Sequence, residues 1–325
     1  MVSVFCNEMA MFNVPQTVVE VALALIYLFV LFIIITSKKE VFKNVFYMIF
    51  VATGFADVTS ILICCFFRIN SQLQLGPQMK PFISAGAVIA GTAFVAHMIG
   101  NLIITINRFS VLCLRKDRFW SRKNVRIIIC LQYACAFAAL VPAIGADLIY
   151  VKNDDGSYIL FGFHKQDDLI NRCAYVGSSL LYAVISIILN IRLLVYLHRM
   201  MKLSDSSRLA GHEKGMVFCT LIVFAFTMLM CTQQTLRGIA VWTENTEFNY
   251  WITMHYYWIN DVMVSIPPCT QLILNSELRR DIINFFQCRR HRNNSVATAI
   301  MFSNQHPGSD RSSYQGRRSD TLTKY

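Results

Sequence analysis

The chain has 325 residues, of which 55% are hydrophobic and 15% charged, and its formal net charge is +11. Soluble domains carry about 25% charged residues, so composition speaks against a solvated globular fold. The basic excess points away from nucleic acid as well, because it lies in connections between apolar stretches and no aromatic-interleaved basic domain exists to use it.

A hydrocarbon core about 30 Å thick takes about 20 residues of α-helix to cross. Residues 1–16 have no basic n-region and read as an extracellular N-terminus, so the first apolar stretch, Thr17–Thr36, is expected to be an uncleaved anchor helix. Asn44–Phe67, Phe82–Ile106 and Ile127–Val151 follow at similar length. The longest internal connection is Lys152–Cys173, with a turn signal at Asn153-Asp154-Asp155-Gly156 and a strand-prone run at Tyr158-Ile159-Leu160-Phe161. Ala174–Leu197, Met216–Ala240 and Trp251–Leu274 complete the series. Hydrocarbon does not tolerate unpaired backbone, and none of these segments shows the short alternation of a barrel strand. The expected fold is therefore an all-α membrane protein, a seven-transmembrane helix bundle over residues 17–290.

Beyond the seventh stretch, residues 276–290 have Leu278, Ile282, Phe285 and Phe286 on one side and Arg279, Arg280, Asn284 and Gln287 on the other. That spacing predicts a short amphipathic helix along the membrane surface. Cys288, beside Arg289 and Arg290, is either a lipidation (S-palmitoylation) candidate or a plain surface thiol. Residues 291–325 are rich in Ser, Gly and Arg and are expected to form a disordered cytoplasmic tail. No internal repeat is visible, which counts against transporters built from duplicated halves.

Charge sets the expected orientation. With the N-terminus outside, only Arg68, Lys80, Lys152, Lys165, Arg172 and Arg237 of the basic residues lie on the outer side, and the rest are cytoplasmic. This follows the positive-inside rule and predicts N-out, C-in at the plasma membrane. Cys6 and Cys173 would then face an oxidising exterior and form a candidate disulfide, although spacing does not set connectivity.

Ionisable and amide side chains inside apolar spans usually face the bundle interior and have a task. On the third stretch His97, Asn101, Thr105 and Arg108 share one helical face, as either a polar spine that repacks between two states or interhelical glue. Asp57 sits near mid-depth on the second stretch with Thr53, Ser60 and Cys64, and Asn260 and Asp261 sit on the seventh. Asp57, Asn101, Asn260 and Asp261 form a candidate intramembrane polar site, through shared protons or an ion or simply through hydrogen-bonded packing. Toward the outside, Phe94, His97, Tyr182, Gln233, Gln234, Arg237, His255 and Trp258 are candidate ligand-binding residues between helix ends. Arg237 would either anchor an anion or snorkel to water. Many of the rings near Tyr256 and Trp258 would belong to the interfacial aromatic belt.

Ile106-Asn107-Arg108-Phe109, Arg118-Phe119-Trp120 and the run Ile266-Pro267-Pro268 through Leu272, Ser276, Leu278 and Arg279 carry a resemblance. From Thr17 to about Arg290 the chain resembles nematode serpentine chemoreceptors of the Srg superfamily, most of all its Srv-type members, which are seven-transmembrane G-protein-coupled receptors. The resemblance implies that Asn107, Arg108 and Phe109 occupy the place of the acidic-Arg-aromatic activation triplet. It also implies that Pro267 and Pro268 form the helix 7 bend and that Asp57 matches the helix 2 acid. Three departures accompany it: Asn107 replaces the acid, helix 6 has no proline, and no cysteine stands at the outer end of helix 3.

The resemblance implies a non-enzymatic chemosensory receptor, without cofactor, that binds a small-molecule ligand and activates a heterotrimeric G protein. Receptor kinase or arrestin would act on tail residues such as Ser309, Ser312, Ser313 and Ser319, and a sensory ciliary membrane is the implied site. A retinal sensor would need a Lys in the last helix, and Trp251–Leu274 has none. A metal hydrolase would need several deep ligands, where only His97 is deep. The remaining alternative is a transporter or ligand-gated channel with an ion site at Asp57 and Asp261.

Overall fold

The computed structural model describes the backbone of residues 2–73, 76–114, 117–152, 158–203 and 208–287. Side chains are described within those ranges from residue 15 onward, except at 71, 117, 151–152, 158–162, 165, 200–203, 208–214, 246, 250 and 254. Cys288, Ser309, Ser312, Ser313, Ser319 and the side chain of Cys6 lie outside the described residues, and Cys173 is an exposed free thiol.

Long helices dominate. They are α1 Val2–Thr36, α2 Val45–Leu73, α3 Lys80–Leu112, α4 Arg122–Ala139, α5 Lys165–Leu203, α6 Arg208–Trp242 and α7 Thr246–Leu274, followed by α8 over residues 276–287. Among the described residues five stretches are long and apolar enough to cross a membrane: Pro15–Thr36, Val45–Asn70, Pro77–Leu112, Gln166–Arg199 and Gly215–Trp242. The other two long helices carry more polarity. α4 has Arg122, Lys123 and Arg126 in its first two turns, and the first half of α7 holds Glu247, Asn249 and several aromatic rings.

Local chemistry sets the ends. The Ser121 side chain accepts from Asn124 N at the start of α4, and Asn245 Oδ1 accepts from Phe248 N at the start of α7, so each cap satisfies a first-turn donor. The fourth helix was expected to run to Val151 and instead ends at Ala139. Pro142 has no amide hydrogen and disfavours helical backbone at the residue before it, so the chain turns through Val141–Ala143. It then passes Gly145 at φ 85, a left-handed conformation suited to glycine, and extends as β1, Leu148–Lys152. β1 pairs antiparallel with β2, Tyr158–Phe163, with an irregularity between Ile149 and Tyr150. The strand expected at Tyr158–Phe161 is thus present, and its partner comes from what composition assigns to a helix. The all-α expectation needs this hairpin added.

The chain falls into two compact units, Met1–Arg279 and Arg280–Tyr325. In the second, the described part is the end of α8, where Phe285 and Phe286 meet edge to face at 5.7 Å. The first unit holds the bundle, and its polarity is inverted relative to a soluble protein. Asp57, Glu20, Arg68, His97, Asn190 and Asn260 are buried, whereas Val18, Leu25, Leu181, Val184 and Ile188 point outward. Polar groups inside and apolar groups outside are what a lipid solvent selects. Around Phe94, Met98, Leu140, Tyr182, Met230 and Met263 an apolar core fills the middle. Close approach of α2, α3 and α4 depends on Gly100, where an added Cβ would collide with Thr53 Oγ1 and come within 2.7 Å of Gln132 Nε2.

Candidate functional site

The face read from α3 is the centre of the bundle: His97, Asn101, Thr105 and Arg108 are all at least nine-tenths buried. Asp57 on α2 accepts from Tyr27 Oη at 2.6 Å through one oxygen and faces His97 Nδ1 at 2.5 Å through the other. A carboxylate accepts, so Nδ1 carries a proton. His97 Nε2 then accepts from Asn101 Nδ2 at 2.8 Å, while Thr227 Oγ1 stands 3.2 Å away and donates its own hydrogen to Val223 O. Nε2 cannot accept from the amide and donate to Thr227 in one state. Turning the Asn101 amide would present its oxygen to Nε2, and a hydrogen bond there would require a proton on Nε2 as well as the rotation. The ladder ties α1, α2, α3 and α6 together.

A second polar cluster lies between α1, α2 and α7. Glu20 Oε1 accepts from Arg68 Nη2 at 2.6 Å, with both side chains buried, and Cys65 Sγ donates to Glu20 Oε2 at 3.1 Å. Gln16 Nε2 donates to Asp261 Oδ2 at 3.0 Å, and the Arg68 guanidinium lies 5.0 Å from the Tyr257 ring centroid. Asn260 accepts from Ser60 Oγ at 3.3 Å and donates to Cys64 Sγ at 3.5 Å. The expected intramembrane polar site is therefore divided. Asp57 and Asn101 belong to the ladder, Asp261 to the Gln16–Glu20–Arg68 cluster, and among the described residues no hydrogen bond joins the two acids.

The end of the bundle nearest the hairpin combines α3, α5, α6 and α7. Phe94, Tyr182, Gln233 and Gln234 are buried, whereas Trp258 is 46% exposed and His255 is exposed and bonded to Trp251 O. Trp258 and His255 thus face outward on α7, away from the other ligand-binding candidates. Gln233 Nε2 donates to Ile252 O at 3.3 Å, and the Arg237 guanidinium lies 5.8 Å from the Tyr256 ring centroid. Across from it, Arg172 pairs with Asp168 at 3.1 Å and lies 6.0 Å from the Tyr175 ring. Gly91 lets Tyr175 lie against α3, for a Cβ there would collide with the Tyr175 hydroxyl. Above this layer the Lys80–Asp147 pair, at 2.8 Å, joins the start of α3 to the base of the hairpin. Hydrogen bonding and charge from Lys80 hold the Asp147 carboxyl below its usual range.

At the opposite end Arg108 is 2% exposed, with its guanidinium 4.4 Å from the Phe46 ring centroid. Asn107 is buried beside it, and Phe109 follows on the half-buried side. Pro267 and Pro268 are buried inside α7, which stays helical past them although the carbonyls of Met263 and Val264 lose their usual donors. Nearby lies a narrow space of about 20 Å³, room for about one water, lined by Phe46, Asn101, Thr105, Tyr182, Val223 and Pro267.

Sequence reasoning missed Gln16, Tyr27, Glu20 and Arg68. The signal was present for two of them: Glu20 and Arg68 are ionisable residues close to or within apolar stretches, at depths where a charge needs a partner. Gln16 gives no such signal, since an amide near a membrane end is ordinary, and a single phenol inside an apolar stretch, as at Tyr27, reads as packing.

A search of curated proteins found no match. The family model for the serpentine type 7TM GPCR chemoreceptor Srv matches residues 16–288, which span α1 through α7 and the buried polar ladder between them. A receptor family of this kind is not an enzyme family, and multi-pass membrane insertion agrees with both the match and the apolar helices. The chain belongs to the Srv family of serpentine 7TM G-protein-coupled chemoreceptors.

Proposed function

We propose that this chain crosses the plasma membrane seven times with its N-terminus outside, binds a small extracellular molecule, and activates a heterotrimeric G protein at its cytoplasmic face. The ligand would sit between the outer ends of α3, α5, α6 and α7, near Phe94, Tyr182, Gln233, Gln234 and Arg237. Placement with the Srg superfamily of nematode serpentine receptors, residence in a sensory ciliary membrane, and regulation of the tail by kinase or arrestin belong to the same reading.

Arg108 is the observation that carries it. A guanidinium is costly to bury, yet this one is 2% exposed at the inner end of α3, at the foot of the ladder that begins at Asp57 and His97. Its neighbour is Asn107 rather than an acid, so an adjacent-carboxylate lock is not what holds it. The cation packs on Phe46 of α2, on the same α3 face as the ladder. A buried inner cation packed on a ring, on the same helix face as a buried hydrogen-bonded ladder, suits a two-state switch.

The test is guanine-nucleotide exchange on a co-expressed heterotrimer, with and without stimulation by a panel of volatile and water-soluble metabolites. Arg108→Ala should lower exchange at least about tenfold, ~1.4 kcal/mol, at unchanged surface level. Unaltered exchange in that variant would remove the switch role. Asp57 and Asp261 have separate partners, which supports a receptor over an ion-coupled transporter or channel using both acids.

A further inference from the structure

We propose that the outer site takes a ligand bearing a single carboxylate, held by Arg237, with a hydrogen-bond donor on its apolar body directed at Gln233 and Gln234. The proposal rests on the ligand-binding reading above and names the chemical class that this site accepts.

Charge accounting comes first. Three arginines stand at this level of the bundle. Arg68 is neutralised by Glu20 at 2.6 Å and Arg172 by Asp168 at 3.1 Å. Arg237 has no carboxylate within ion-pair distance among the described residues, and its Nε is buried without a hydrogen-bond partner. The ring of Tyr256 at 5.8 Å gives partial compensation through its π face and leaves the positive charge in place. Arg237 is half-buried with its Nε enclosed and unbonded, and a bound anion would add charge-assisted hydrogen bonds there.

The neighbouring amides set the rest of the ligand. Gln233 and Gln234 are 4% and 3% exposed, and the Oε1 atom of each is buried with no donor. The Gln233 amide nitrogen is already committed to Ile252 O, which fixes its oxygen as the free group. Buried acceptors without donors are uncommon in folded proteins, and two adjacent ones one helical turn below a lone cation form a pattern. Hydroxyl or N–H hydrogens would satisfy them.

Phe94, Tyr175 and Tyr256 provide the aromatic walls, with Phe94 and Tyr175 packed at 6.0 Å. One uncompensated positive charge matches one negative charge. A doubly charged phosphate would need a second free cation, and Arg172 is already taken by Asp168.

The experiment uses the full chain in cells with a co-expressed heterotrimer. Probes are the monocarboxylic acids from acetate to octanoate, their α-hydroxy derivatives, and the methyl ester and primary alcohol of each. At least one acid should activate, the α-hydroxy acid should be more potent than its parent, and the matched ester should be about tenfold or more weaker. Arg237→Gln should raise the half-maximal concentration for the acid about tenfold or more at unchanged surface level, and Arg237→Lys should recover part of the loss. Gln234→Leu should remove the α-hydroxy advantage, read as the ratio of half-maximal concentrations of the parent acid and its α-hydroxy derivative in that variant. Silence toward every acid, or activation by esters and alcohols that Arg237→Gln leaves intact, overturns the carboxylate assignment. The receptor reading is judged separately, from ligand-free nucleotide exchange in the wild type against Arg108→Ala; loss of that difference sinks the reading beneath.

Discussion

At the residue scale, the buried ion pair Glu20–Arg68 gives the sharpest energetic expectation. Its side chains are 0% and 2% exposed, so neither charge can relax into water when its partner is removed. Breaking such a pair from one side costs about 3–5 kcal/mol, while replacing both members with uncharged side chains is often close to neutral. Arg68→Met should therefore lower the unfolding midpoint of the detergent-purified protein sharply, because it leaves Glu20 and Asp261 as buried acids without a cation. Adding Glu20→Gln should restore more than half of the loss, as followed by intrinsic fluorescence on heating. A double variant no better than the single would mean that the pair is not what fixes this corner. The cluster was only partly legible in the sequence. Asp261 stands out as an acid in an apolar helix, but its partner Gln16 sits 245 positions away on the opposite end of the chain, and no local pattern links them. The ladder was far more legible, because His97, Asn101, Thr105 and Arg108 repeat at helical spacing on one element, and periodicity reads one element at a time.

At the element scale, glycine positions separate packing from propensity. Gly100 sits where α2, α3 and α4 meet, and Gly177 sits on α5 with nothing within 4 Å of an added Cβ. Gly100→Ala should destabilise by about 1–3 kcal/mol through overpacking against Thr53 and Gln132. Gly177→Ala should stabilise by up to about 1 kcal/mol, since alanine holds helix better than glycine. Opposite signs in the same thermal assay are the expectation, and equal shifts would contradict the three-helix junction. Helix boundaries were the least legible part of the fold for a related reason. Apolarity continues past Ala139 to Val151, so hydropathy carries the fourth helix through a segment that Pro142 and Gly145 turn into a strand. That strand starts where Lys80 holds Asp147, a link from α3 to the outer hairpin in a chain with no cysteine at the outer end of helix 3. Because Lys80 lowers the Asp147 pKa, the tether is present above the ordinary carboxylate range near pH 4 and is lost as pH falls through the depressed value. Hydrogen exchange of the hairpin amides should accordingly rise on acidification and in Lys80→Ala at neutral pH, and Lys80→Ala should flatten the acid response.

At the scale of the whole molecule, three buried polar layers share α3 and α6. Toward the hairpin end lie Arg237 and the buried glutamines, in the middle Asp57, His97, Asn101 and Thr227, and at the opposite end Arg108 on Phe46. Each layer is carried in part by α3 or α6, so these two helices reach from the ladder to both ends. If the ladder is the coupling element, disabling it should separate binding from signalling rather than abolish both. Asn101→Leu removes the amide that donates to His97 Nε2, and it leaves Arg237 and Arg108 in place. In the wild type, ligand affinity should fall when excess guanine nucleotide uncouples the G protein, because coupling between two sites is reciprocal. In Asn101→Leu that nucleotide sensitivity should collapse, with exchange reduced about tenfold or more, while ligand affinity in the uncoupled state stays within about twofold of wild type. Radioligand or fluorescent-ligand binding to membranes, with and without nucleotide, measures both quantities in one preparation. Retained nucleotide sensitivity would place the coupling outside the ladder and leave Asn101 as interhelical packing. Equal loss of affinity and exchange would mean that the substitution damages the bundle as a whole. Only the split outcome makes the buried amide the point where an outer ligand and an inner partner act on one equilibrium.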